Sequence, residues 1–167
     1  MPQWQGVRIV IAFVAATLLA SPPLAGQAAF DTEELANYRL TADVFTQFEA
    51  ASRGIARALK ADASFAEAPL FTREIALSDD VSAAAAMLDG RLTGHVGLYT
   101  ALFAAQISSR EYTKFAIALI GAHLAHEFLA TGVLRAVPPG VATDNVSFVA
   151  AHAPEVSNVL QALGLPD

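Results

Sequence analysis

Residues 112–134, YTKFAIALIGAHLAHEFLATGVL, place apolar side chains on almost every side of a helical wheel, interrupted strongly only by Lys114, His123, His126, Glu127 and Thr131. A helix that is apolar all round has to be surrounded, either by other helices or by lipid. Two histidines and a glutamate within the stretch make a membrane span costly, so the pattern predicts the central helix of a soluble bundle. Ala118, Gly121 and Ala125 form a strip of small residues along it where another backbone can approach closely. Upstream, Ser108-Ser109-Arg110-Glu111 has the spacing of a capping box, acceptor first and acidic residue three later. Downstream, Pro138-Pro139-Gly140 stops the helix.

Working outward, the same signs recur. Asp31-Thr32-Glu33-Glu34 is another capping box and predicts a short helix ending near Tyr38. Thr41 precedes the clearest amphipathic segment, residues 42–60, with Val44, Phe45, Phe48, Ala51, Ile55 and Leu59 on one side. Asp43, Gln47, Glu49, Arg53, Arg57 and Lys60 lie opposite, and Glu49 and Arg53 have the favourable i, i+4 order. Residues 61–77 carry Pro69 and read as a connection. Ser78 then precedes the acidic pair Asp79-Asp80, which suits the first turn of a helix closed by Gly90. A further helix over residues 92–107 presents Leu92, His95, Tyr99, Leu102, Phe103 and Gln106 on a common face, with Gly94 and Gly97 weakening its start. Thr143-Asp144-Asn145 begins another helix, and Pro154 opens the last one, ending at Gly164. No run alternates strictly enough for a strand. The expected fold is all-α: a single-domain bundle of five or six helices around residues 112–134, spanning residues 29–167.

Residues 1–28 read differently. Arg8 and the amino terminus are followed by twelve uncharged residues, 9–20, then Pro22, Pro23 and Gly26, then small side chains at Gly26-Gln27-Ala28. That order is the one of a secretory signal peptide, and its apolar core is shorter than the roughly 20 residues of a membrane span. Cleavage is expected after Ala28, with Ala29 as second choice. The expected location is therefore outside the cytoplasm, periplasmic or secreted, with no integral membrane span after signal removal. Removal of 28 residues from 167 leaves 139, the size of one domain, and loss of Arg8 takes the formal charge from −6 to −7. Arg53, Arg57 and Lys60 are the only basic cluster, which is too little for nucleic-acid binding. Without cysteine, the fold rests on packing alone, and thiolate metal sites and cysteine nucleophiles are excluded.

Ser109-Arg110-Glu111-Tyr112, the Ala-rich helix after it, Pro139-Gly140-Val141, Asn145-Val146-Ser147-Phe148-Val149 and His152 resemble the C-terminal half of small exported bacterial helical proteins of unknown function. The resemblance covers residues 108–159. It implies an envelope or secreted helical domain and brings no substrate, cofactor or catalytic residue.

The one constellation with chemical potential is His123, His126 and Glu127, which share a helical sector with Tyr112, Phe115 and Leu119. Two imidazoles and a carboxylate are reasonable ligands for zinc or iron. The spacing is neither H-E-x-x-H nor H-x-x-E-H, and a fourth ligand has to come from His95 or His152. The plainer reading pairs His123 with Glu127 at i, i+4 and packs His126 against Phe115 and Leu119. His152 near a helix C-terminus is favoured by the dipole as a cation. No serine stands in a G-x-S-x-G setting, no Gly-rich phosphate loop is present, and Asp79-Asp80 suits a helix dipole better than an acid and base pair. Phe45, Phe48, Tyr99, Phe103, Phe115 and Phe128 fall at helical spacing, as core residues or as the lining of an apolar pocket. These observations predict a non-enzymatic binding or structural module of the cell envelope, with an apolar small ligand or a protein as partner. The alternative is a metal- or haem-binding bundle using His123, His126 and Glu127.

Overall fold

The computed structural model describes residues 29–63, 70 and 80–165, and among these there are seven helices and no strand. In chain order they are α1 (Thr32–Asn37), α2 (Ala42–Ala61), α3 (Val81–Gly94), α4 (Val96–Ala104), α5 (Ser109–Ala130), α6 (Thr143–Ala151) and α7 (Ala153–Ala162). The fold is an all-α bundle, and α5 is its centre, packing against α1, α2, α3, α4 and α6. Among the described residues no helix is long and apolar enough to cross a membrane. Residues 1–28, on which the expected signal peptide falls, and Pro69, Ser78 and Asp79 lie outside the described residues.

Local chemistry sets the helix starts. The Asp31 carboxylate accepts from the Glu33 and Glu34 amides, Thr41 from Val44, Asp80 from Ala83 and Ser108 from Glu111, each satisfying an amide that the first turn leaves open. Asp80 is thus itself the cap of α3 rather than a first-turn residue. Only half of the second capping box forms as expected, because the Glu111 carboxylate reaches the Tyr38 hydroxyl at 2.6 Å instead. Pro154 occupies the first turn of α7, where its missing N–H costs nothing.

The core joins α2 to one side of α5. Phe48 stacks on Tyr112 at 4.6 Å and tilts against Phe115 at 4.9 Å, while Phe45 stacks on Phe115 at 6.1 Å. Rings at these separations gain about 0.5–1.5 kcal/mol per pair beyond the area they bury. The Tyr112 hydroxyl, fully buried, finds Ser52 at 3.0 Å, and burial raises its pKa. Ile55, Leu88, Leu98, Leu102, Leu119 and Val149 close the rest of the core. α4 crosses α2 closely: a Cβ on Gly54 stands 2.8 Å from that of Ala101, so glycine is what permits this approach.

Three expectations are corrected. Gly90 does not close α3, which runs on to Gly94 and breaks at His95. The break restarts the helical register, so the inward side of α4 is Leu98 and Leu102, while Tyr99 and Phe103 are 53% and 76% exposed and Val96 is 82% exposed. A helix drawn continuously from residue 92 places Leu102 correctly but turns Tyr99 and Phe103 inward. Finally, α5 ends at Ala130 rather than near Leu134, because Gly132 turns into the left-handed region at φ 74° and its amide bonds back to Leu129.

Candidate functional site

Ile117, Ile120, Gly121 and Leu124 recur on α5 at i, i+3, i+4 and i+7, forming a stripe on the side away from Tyr112, Phe115 and Leu119. Leu35 and Ala36 of α1, Val81 and Ala84 of α3, and Val141 after the Pro138-Pro139-Gly140 stop face the same space. Together they enclose an apolar cleft of about 250 Å³. The strip of small residues explains the opening. Ala118 and Gly121 line it, and a Cβ on Gly121 meets only Val141 Cγ2, at 3.8 Å, so here the small side chain leaves room instead of admitting a backbone. Ala125, the third member of the strip, is buried.

The cleft offers little hydrogen bonding. Of its two polar lining side chains, Thr32 and Asn145, the Asn145 amide is already engaged: Oδ1 accepts from the Leu40 amide at 3.0 Å and Nδ2 donates to the Tyr38 carbonyl at 2.9 Å. Among the described lining residues there is no histidine, carboxylate, amine or guanidinium. The lip is apolar too, with Val81 and Leu124 partly exposed.

The wall formed by α1 is held by the buried cluster of Phe30, Leu35 and Ala85, with Ile117 packed against it, and by polar contacts. Arg110 Nη2 donates to Glu34 Oε2 at 2.8 Å and its guanidinium lies 4.4 Å from the centre of the Phe30 ring. Lys114 Nζ stands 3.3 Å from Glu34 Oε1 and 3.0 Å from Glu111 Oε2. The hydrogen bond from Arg110, then that from Lys114, hold the Glu34 carboxyl below its ordinary range. At Glu111 burial acts upward, but the hydrogen bonds from Tyr38 and Lys114 outweigh it and the pKa is lowered. Burial lowers and the two carboxylates raise the Lys114 pKa, with a net rise. Burial, and then Glu111, raise that of Tyr38.

The histidine cluster takes no part in the cleft. Burial on α5 shifts from Tyr112, Phe115 and Leu119 to Ala122 and Ala125 towards its C-terminal end, leaving His123 and His126 half-buried and Glu127 exposed. Glu127 therefore reaches water, and the expected hydrogen bond to His123 is not formed; among the described residues none of the three side chains makes a hydrogen bond or ion pair. The expected fourth ligands are engaged elsewhere. His95 Nε2 lies 3.0 Å from Asp62 Oδ2, and His152 stacks on Phe148 at 4.2 Å while its Nδ1 donates to the Phe148 carbonyl at 2.9 Å. Among the described residues no group of three His, Asp or Glu side chains is gathered to hold a metal ion.

Neither the Asn145 clip nor the ties of Glu34 and Tyr38 to α5 has a sequence signature, since each joins residues more than 70 positions apart. No family model, curated protein or solved structure matches this chain.

Proposed function

We propose that this protein is an exported helical binding module of the cell envelope, and that the cleft between α1, α3, α5 and residues 139–142 takes a small apolar ligand. The observation that carries the reading is the cleft itself, an apolar cavity of about 250 Å³ beside the central helix with an apolar lip. Its volume lies just below the roughly 300–1,000 Å³ of sites for drug-sized molecules, which suits a compact hydrocarbon or one end of a longer chain. A lining whose only polar side chains are Thr32 and the already engaged Asn145 supports binding rather than catalysis. Export is supported by the order of charge, apolar core and small residues over 1–28.

Naphthalene, apolar and compact, is a suitable first probe. A saturable rise in melting temperature is expected with the wild type by mass action, and none with Gly121→Leu or Ala118→Leu, which fill the cleft. An equal rise in the filled variants, or none in any of them, contradicts the reading. Mass spectrometry of protein recovered from the producing cells checks export separately: the expected first residue is Ala29 or Phe30, and intact Met1 in a membrane fraction contradicts it.

A further inference from the structure

We infer that α1 is a hinged lid over the apolar cleft, held shut by the charges of Glu34, Arg110 and Lys114. The inference rests on the binding reading above for what the lid admits, but the opening of the lid is a property of the chain alone. α1 has six residues, far below the roughly 12–15 at which a helix begins to persist by itself in water, so it stays helical only while docked. Of its side chains only Leu35 is buried. The two ends of the segment are fixed by contacts of another kind. At one end the Phe30 ring is buried against Leu35 and Ala85, and its carbonyl accepts from the Ser82 hydroxyl. At the other, Asn145 clamps the Tyr38 carbonyl and the Leu40 amide.

Between these anchors α1 presents Thr32, Leu35 and Ala36 to the cleft and Glu34 to α5. Glu34 takes both cations at once, Arg110 on one oxygen at 2.8 Å and Lys114 on the other at 3.3 Å. The Glu34 and Arg110 side chains are 39% and 36% exposed, so water and salt reach their pair. This latch acts beside the apolar contact of Leu35 with the buried cluster of Phe30 and Ala85, and it is the part of the α1 docking that water and salt weaken. Anchored ends and a middle held by one buried leucine and the Glu34 ion pairs make α1 the part of the cleft wall that moves, while α3 and α5 stay in place.

Amide hydrogen exchange on the mature protein tests this without any ligand. In the wild type the Leu35 amide, bonded to the Asp31 carbonyl at 3.0 Å, reports the closed lid. Glu34→Gln keeps the size and hydrogen-bonding capacity of the side chain but removes its charge. It is expected to speed exchange at Leu35 about three- to tenfold, the range that half-exposed ion pairs support, with the amides of Phe115 and Leu119 unchanged. Raising the salt concentration is expected to bring the wild type towards the variant. The association rate of naphthalene, followed by stopped-flow fluorescence, is expected to rise by a similar factor. Unchanged exchange at Leu35 in Glu34→Gln overturns the latch. Faster exchange with an unchanged association rate overturns the lid as a gate. Failure of naphthalene to bind any form refutes the binding reading alone, and the exchange data still decide whether α1 opens.

Discussion

The two sides of α5 solve different problems with one helix. Towards α2 it presents Tyr112, Phe115 and Leu119, whose rings and branched carbons interlock with Phe45 and Phe48 and leave a single hydroxyl to be satisfied, by Ser52. Towards α1 and α3 it presents Ala118 and Gly121 among Ile117, Ile120 and Leu124, and the space between the elements is not filled. The first side is closed by large apolar side chains, which carry no charge for acid to change. The second is closed by α1, through the small apolar cluster of Phe30, Leu35 and Ala85 and through carboxylates, cations and one amide clip. Side-chain size along one helix thus separates the part of the molecule that holds it together from the part that has room to act.

Substitutions should respect that division. Phe115→Ala removes a ring that touches Phe45, Phe48 and Tyr38 and is expected to cost about 3–5 kcal/mol in urea unfolding, as for other buried aromatic truncations. A loss below about 1 kcal/mol contradicts its place in the core. Asn145→Ala leaves the Leu40 amide and the Tyr38 carbonyl without their partner and is expected to cost about 1–3 kcal/mol. Its effect on amide exchange should be largest at Leu40, with the Leu119 amide affected only through global unfolding.

Acid sharpens the contrast further. The folded pKa values of Glu34 and Glu111 are lowered, so their contribution is complete above the unfolded carboxylate value of about 4.3 and is lost as pH falls through the lower folded values. The groups that face them are Arg110, Lys114 and Tyr38, none of which changes charge in that range. Exchange at Leu35 is expected to rise relative to Phe115 between pH 5 and pH 3, after correction for intrinsic rates; a constant ratio argues against charge control of α1. Arg53→Ala, breaking an exposed pair with Glu49, should have the smallest effect, about 0.2–0.5 kcal/mol.

Much of the large-side-chain half was legible in the sequence. The inward face of α2 follows from residue spacing, and the Asp31, Thr41 and Ser108 caps follow from side-chain type, because both depend on neighbours within one or two helical turns. Periodicity failed where a register restarted, at His95, and where a helix outran its cover, at Glu127. At His95 the wheel itself was broken, whereas at Glu127 it held but the partner it was assumed to face was missing. The Ala118 and Gly121 strip was visible, but strips of small residues mark both close backbone contact and open space, and only the position of Val141 decides between them. The cleft draws on segments from residue 32 to residue 145, so no local pattern announces it.

Methyl NMR during a titration with naphthalene tests the central claim most directly, because it reads both sides of α5 in one experiment. Saturable shifts are expected at Ile117, Ile120, Leu124 and Val141, which line the cleft, with Ile55, Leu102 and Val149 in the filled core unmoved. Shifts confined to Val96 and Leu98 on α4, beside its exposed Tyr99 and Phe103, or no saturable shift at any cleft methyl, would contradict the assignment of the cleft as the binding site.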